Sequence, residues 1–531
     1  MKKRFVSLLT AGILGISLAA GCGNSETVEG EGSSTPGQAG ADTAADSGGS
    51  ESEGEVTEIE MYALALGETG GLKEVEDAVN VIAEEKANVH VNLTLMDASS
   101  YMEQMGLMLA GNERVDLMQI TPLGSVGFNA CQSQNQLQDI SELISKEAPQ
   151  LTETVGAYLK GMEVEGSLYG VPGFRLLNSN MYVYMRGDVL DELGLRQEAE
   201  AVNSWSGLEA IFEKVYHAQD SLPEELRTSY MIANTGGTGD VITTAPALAG
   251  NDDWSQASGY DTLGDSYYIV GVDEAADTVF SWYESEDFHK EIQIVKAWYD
   301  KGYVYKDAAI SEDTGDNNIK NGVAFANVAF SEPGVEQAKE AATGYDLVCL
   351  QISTGPVTTG SARSWGWSVP VTAEEPEAAA RFLNLMYTDP EIENLLVWGI
   401  EGRDYEVNEA GEAAALEGAS YSSGDFLWGN QFLAYPSKGQ GGDFREISKA
   451  EMEAAGISKY YGCSVNVDTI SGELTAVNNV ISGAYATLVS GNSFDLEGDY
   501  AKFVGDLQAA GLEKILETYQ QALDAWLAGQ N

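Results

Sequence analysis

Positive charge is what this sequence has least of. Its 531 residues hold 28 Lys and Arg against 83 Asp and Glu, a formal charge of −55. Nucleic acids and anionic surfaces are bound by clustered cations that displace counterions, so neither is an expected partner. Cysteine is nearly absent as well, and the body of the chain holds only Cys131, Cys349 and Cys463. An odd number at wide spacing argues against a disulfide framework or a zinc site and for buried small hydrophobes. Three histidines, His90, His217 and His289, share no metal-ligand spacing. No HExxH, G-x-S-x-G, P-loop or G-x-G-x-x-G occurs, so no cofactor or resident metal is expected. Beyond the first 20 residues no apolar run reaches the 18 residues that suggest a membrane span.

What is there begins with the leader. Lys2, Lys3 and Arg4 precede a mostly apolar stretch, 5–20, which ends Leu18-Ala19-Ala20-Gly21-Cys22. This reads as a secretory signal over 1–21. The run of small residues into Cys22 looks like a bacterial lipobox, where Cys22 would be lipidated; an ordinary signal with an incidental cysteine is the alternative. Residues 22–57 are mostly Gly, Ser, Thr, Ala, Asp and Glu, with no Lys or Arg between Arg4 and Lys73, and read as a disordered acidic tether.

The body is 44% hydrophobic over the whole chain and alternates strand and helix signals. A strand is expected at 59–66, then a helix carrying Val75, Ala78, Val79 and Ile82. An alternating strand at 89–95, a helix at 101–109 and a short buried strand at 116–120 follow. That order predicts a parallel, doubly wound α/β sheet with ligands beyond its strand ends. Further strands are expected at 181–185, 323–330 and 347–352. Helices are expected at 206–219, 290–301, 376–387, 391–397 and 500–527.

Several segments resemble one family. Glu165-Gly166-Ser167-Leu168-Tyr169-Gly170-Val171-Pro172 is similar to the "GKLYGVP" segment of family 1 extracellular solute-binding proteins, with Ser167 in place of the usual Lys. The passage from Met181 through Leu195 to Trp205 follows in the family's order, though Arg186-Gly187 replaces the usual Asn-Lys. Glu377 to Asn384 and Thr388-Asp389-Pro390 resemble its "NPEAAMKFLNLLYTDPE" helix pair. Gly399 to Tyr405 and the end Tyr519 to Trp526 look like a branch of oligosaccharide-binding-type lipoproteins with an extra C-terminal helical region.

The resemblance implies a two-lobed α/β fold, like that of periplasmic binding proteins, with sheets joined at a hinge and ligand captured by lobe closure. The expected units are lobe 1 at 58–172 plus 354–400, and lobe 2 with the C-terminal helices at 173–353 plus 401–531. Crossovers are expected near 169–174 and 353–367. The implied function is lipid-anchored, extracellular capture of an oligosaccharide for the permease subunits of an ABC importer. The protein would be a monomer, without catalysis, touching the membrane only through its anchor. A peptide or other solute on the same scaffold is a second reading, and a secreted carbohydrate-active enzyme or adhesin a third.

Sugars offer C–H faces to flat rings and hydroxyls to polar tips. The family positions put Thr121, Phe174, Arg175, Asn178, Phe330 and Ser331 at the cleft; an ion pair is the alternative for Arg175 and for Arg363. Trp365 and Trp367 flank Gly366 in an alternating segment beside Arg363, which leaves cleft and core both open. Trp254 and Trp428 sit in Gly-rich, polar surroundings that read as loops and are candidates for stacking on ligand. Trp298, Trp398 and Trp526, at helical spacing, read as core. The acidic stretch from Asp313 to Asn318 reads as a solvated turn, with calcium as its alternative.

Overall fold

The computed structural model describes residues 56–122, 124–242, 252–256, 259–265 and 267–530. The leader, Cys22 and the tether up to 55 lie outside the described residues. Within them the chain builds two separate sheets.

The first sheet comprises β1 (Thr57–Leu64), β2 (Val89–Met96), β3 (Leu117–Ile120), β4 (Val171–Pro172) and a late strand, β9 (Gly366–Ser368), in the order β2-β1-β3-β9-β4. β1 pairs in parallel with both β2 and β3, as the alternation of strand and helix predicts. β9 runs antiparallel to both β3 and β4, so the sheet is mixed rather than wholly parallel. Val89, Val91 and Leu93 point inward on β2 while His90, Asn92 and Thr94 are only half-buried, the period-two pattern of a strand with one face on a core.

The second sheet takes β5 (Asn180–Arg186), β6 (Tyr230–Ile232), β7 (Ala324–Phe330) and β8 (Leu347–Thr354) in the order β8-β5-β7-β6. Its central pairings, β8 with β5 and β7 with β5, are antiparallel; only β7 with β6 is parallel. This departs from the doubly wound expectation, and β5 is buried along its whole length.

The chain passes from the first sheet to the second between Pro172 and Asn180, and back between Thr354 and Gly366. Register then fixes which edges meet. Gly366 pairs with both Ile120 and Pro172, so the end of β3, the end of β4 and the start of β9 share one edge. Asn180 pairs with Thr354 and Met181 with Phe330, so the start of β5 and the ends of β8 and β7 share the other. Both crossings join these two edges, so the edges face each other across the crossings.

Each sheet has its own hydrophobic core. A third core joins the hairpin of Val270–Asp273 and Thr278–Ser281 to the helices Glu286–Asp300, Ser471–Val489, Leu496–Ala509 and Leu512–Gly529. The C-terminal residues expected with the second lobe therefore divide: Tyr421, Leu427, Trp428, Ala434, Met452 and Tyr461 join the first core instead. The single helix expected at 500–527 is two helices, because Gly511 turns left-handed at φ 106°. Among the described residues no helix is long and apolar enough to cross a membrane.

Candidate functional site

The first crossing is pinned to its own lobe by backbone bonds. Gly173 N–H donates to the Trp365 carbonyl at 2.9 Å and Phe174 N–H to the Gly429 carbonyl at 2.9 Å, while Gln431 N–H donates back to Phe174 at 3.0 Å. Rings gather around these bonds. Phe174 lies edge-to-face with Phe432 at 5.2 Å and tilted to Tyr158 at 5.7 Å, and Trp365 lies edge-to-face with Phe426 at 5.2 Å. Tyr158, Phe426 and Phe432 are half-buried, so part of each ring remains open.

Beside the rings runs a charged cluster. Arg175 donates to the Leu176 carbonyl at 3.1 Å and to Ser364 Oγ at 2.8 Å, and burial draws its guanidinium down to about 10. Burial also pushes the Glu332 carboxyl up, and nearby Asp425 adds to the rise. Asp425 itself is held below its ordinary value: burial opposes this, but its ion pair with Arg445 wins.

The facing edge is polar. Asn178 Nδ2 donates to Asn180 Oδ1 at 2.9 Å, and the Thr354 hydroxyl donates to the same oxygen. Ser331 N–H donates to the Asn180 carbonyl at 3.0 Å, and Phe330 and Ser331 are half-buried beside it. Asn178 Oδ1 and Asn180 Nδ2 are buried and have no partner among the described residues, leaving one acceptor and one donor at this edge. A cavity of about 600 Å³ opens next to Thr354 and Pro356, with Tyr260, Ile457 and Lys459 in its wall. Its wall includes neither the rings of the first edge nor Asn178 or Asn180.

The structure therefore brings Phe174, Arg175 and Trp365 to one edge and Asn178, Phe330 and Ser331 to the other. Thr121 follows β3 at the first edge but is fully buried. Four expected residues lie elsewhere. Trp254 is in the second core, edge-to-face with Trp205 at 5.4 Å, so the exposed loop tryptophan read from its Gly-rich surroundings is corrected. Trp367 and Trp428 are 0% and 1% exposed and stack on each other at 5.9 Å inside the first core. Arg363 lies on the helix Thr359–Ser364, not in a strand. It donates to the carbonyls of Gly161 and Glu163 and to the side chains of Asn129 and Ser464, at 2.7–3.0 Å, and none of these partners is a carboxylate.

Sequence reasoning missed Phe426, Gln431, Phe432 and Asp425. No periodicity marks this stretch; its one cue is Gly429-Asn430, whose backbone docks on Phe174. Glu393 was missed too. Its buried carboxylate accepts from Gly429 N–H at 3.2 Å and Asn430 N–H at 3.1 Å, and burial pushes it up to about 8.

The acidic stretch from Asp313 resolves as a helix cap. Thr314 caps Gly315–Lys320, and both oxygens of Asp316 accept from Lys339 at 3.0 Å. Among the described residues no group of three or more His, Cys, Asp or Glu is placed to hold a metal.

Two opposed edges, linked by crossings and lined with rings on one side and amides on the other, make a solute-capture geometry. The model for "Bacterial extracellular solute-binding protein" matches residues 78–399. The chain belongs to this family. A second model, a domain of unknown function (DUF3502), matches residues 459–528 of this solute-binding protein, the region of the third core. A "Carbohydrate ABC transporter substrate-binding protein" of Streptococcus pneumoniae serotype 4 is 23% identical over 479 residues, covering 88% of this chain and 91% of the relative. The crystal structure of the N-glycan transport solute binding protein (NgtS) of Streptococcus pneumoniae matches with TM-score 0.73 at 21% identity. It covers 90% of this chain and all of that one. An HMO-binding solute binding protein of Bifidobacterium longum infantis matches with TM-score 0.62 at 15% identity, covering 88% and 98%. At these identities the likeness establishes the two-lobed fold.

Proposed function

We propose that this solute-binding protein captures an oligosaccharide between its lobes and presents it to the permease subunits of an ABC importer. It works as a monomer held at the outer face of the bacterial cytoplasmic membrane through lipid on Cys22, and it catalyses nothing. The observation that carries the reading is the pairing of two surfaces. Half-buried rings of Tyr158, Phe426 and Phe432 lie at one edge, and at the other lie amide atoms of Asn178 and Asn180 that have no partner among the described residues. A sugar needs both, because its C–H faces pack on rings while its hydroxyls give and take hydrogen bonds. Support also comes from the relatives, which include a carbohydrate substrate-binding protein and NgtS in complex with Man1GlcNAc and with Man5GlcNAc. The anchor rests on the leader and its terminal Cys22.

A thermal-shift panel of oligosaccharides and oligopeptides tests the ligand class, since a ligand at a hundredfold excess over its Kd stabilises the folded state by about 2.7 kcal/mol. A shift with a sugar and none with peptides is expected; the reverse pattern overturns the reading. Cys22→Ala should release the protein from the membrane fraction.

A further inference from the structure

The cavity beside the return crossing adjoins the polar edge without being part of it. Its walls come from three parts of the chain: Tyr260 with the hairpin residues Asp273 and Glu274, Thr354 and Pro356 on the crossing, and Ile457 and Lys459 beyond the helix Phe444–Ala455. Thr354 belongs to both places. Its hydroxyl donates to Asn180 Oδ1, and Asn178 Nδ2 reaches the same hydroxyl at 3.5 Å. Thr354 and Asn180 are direct partners across β8 and β5, and paired side chains share one face of a sheet. The amides of the polar edge and the cavity therefore meet at Thr354.

Bonds within the chain hold these walls in place. Val357 N–H donates to the Gly456 carbonyl at 2.9 Å and Ser458 N–H to the Val357 carbonyl at 2.8 Å, which fixes the crossing to the Ile457 segment. Lys459 Nζ pairs with Asp277 at 2.6 Å and the Tyr460 hydroxyl donates to the same carboxylate at 2.8 Å, which fixes that segment to the hairpin turn. The Tyr260 hydroxyl donates to Asp287 at 2.8 Å and its ring lies edge-to-face with Phe280 at 4.9 Å, so the ring is set before anything binds. With Lys459 engaged by Asp277, the other charges of the wall are the exposed acids Asp273 and Glu274. Such a wall disfavours an anion and accepts hydrogen bonds from hydroxyls. Half-buried Tyr260 and Pro356 and exposed Ile457 supply apolar surface beside them.

We propose that this cavity is a second saccharide subsite, which seats a neutral sugar unit beyond the one held between the edges and so makes the protein select longer chains. At about 600 Å³ it has room for such a unit, since small-molecule sites run from roughly 300 to 1,000 Å³. The C–H face of the sugar packs on Tyr260, Pro356 and Ile457, and its hydroxyls donate to Asp273 and Glu274. The inference rests on the oligosaccharide reading and adds to it the part of the protein that senses chain length.

Calorimetric titration of the full chain with neutral manno-, gluco- and galacto-oligosaccharides, from disaccharide to heptasaccharide, tests it. Within a series that binds, affinity should rise about tenfold or more from the shortest member to the longest. Ile457→Trp fills the cavity mouth and Glu274→Ala removes an acceptor, both at exposed positions. Each should reduce that gain while leaving the affinity of the shortest member within about twofold of wild type, whereas Asn178→Ala should weaken every length alike. Melting temperatures of the variants establish that they fold. Amide hydrogen exchange at 272–275 and 457–459 should slow with the longest chain and not with the shortest. Equal affinity at every length, or variants at Ile457 and Glu274 that weaken short and long chains alike, overturns the subsite and leaves capture between the edges standing. Binding at no length overturns the capture of an oligosaccharide and the subsite with it.

Discussion

Removing the Trp428 side chain separates stability from binding most sharply. Trp428 is 1% exposed, stacks on the fully buried Trp367 with rings 19° from parallel, and donates its Nε1–H to Ser423 Oγ at 3.0 Å. Trp428→Ala deletes an indole from a packed core and opens a void against Trp367. Such truncations cost about 3–5 kcal/mol, because lost burial and the residual cavity add. At about 1.4 kcal/mol per decade, the unfolding equilibrium should move by roughly two to three and a half orders of magnitude. Trp428→Phe keeps an aromatic contact with Trp367 but loses the bond to Ser423, and should cost about 1–2 kcal/mol. Urea titration followed by far-UV circular dichroism measures these losses, and calorimetric titration with the bound sugar measures affinity on the surviving folded fraction. The expected outcome is a large fall in stability with the Kd within about twofold of wild type, since the indole reaches neither facing edge. A loss below about 1 kcal/mol with binding weakened tenfold would refute the placement of Trp428 in the core.

Other outcomes follow from the same geometry. Arg363→Ala should destabilise by about 3 kcal/mol by leaving the buried Gly161 carbonyl and the half-buried Glu163 carbonyl without a donor, and Arg363→Lys should recover only part of that, because one ammonium cannot span four acceptors. Burial pushes Asp265 up to about 6 and Glu393 up to about 8, so the folded state keeps protons that the unfolded chain releases. Stability should fall as pH rises from the ordinary carboxylate values to these, and Glu393→Gln should flatten the upper part of that decline in a melting-temperature series. Gly511→Ala should cost about 1–2 kcal/mol in urea titration. Its φ of 106° disfavours a side chain, and a Cβ there would sit 2.7 Å from Glu473 Cγ.

Local signals carried much of the fold. Alternation at 89–95 predicts β2, which spans Val89–Met96, and the helical spacing from Val75 predicts Leu72–Ala87. Trp298, read as core from helical spacing, is fully buried. Strand direction in the second sheet was not legible, because antiparallel β5, β7 and β8 are joined by long excursions that resemble βαβ crossovers in sequence. Placement at the candidate site was legible where chain position set it: Phe174, Arg175 and Asn178 lie on the crossing itself, and Phe330 and Ser331 at the end of β7. The tryptophans misled because glycine marks two different things. Around Trp428 it marks a loop packed into the core rather than an exposed one, since a Cβ at Gly429 would lie 2.4 Å from the Met386 carbonyl oxygen. No local pattern tells Trp428 that its partner is Trp367.

The central claim is that the opposed edges enclose a sugar. Calorimetric titration of the full chain with Man5GlcNAc, other oligosaccharides and unrelated oligopeptides tests it directly, with Asn178→Ala in parallel. Saturable binding of at least one oligosaccharide, weakened about tenfold or more by Asn178→Ala without loss of melting temperature, is the predicted result. Peptide binding with no sugar response, or sugar binding that Asn178→Ala leaves untouched, would contradict it.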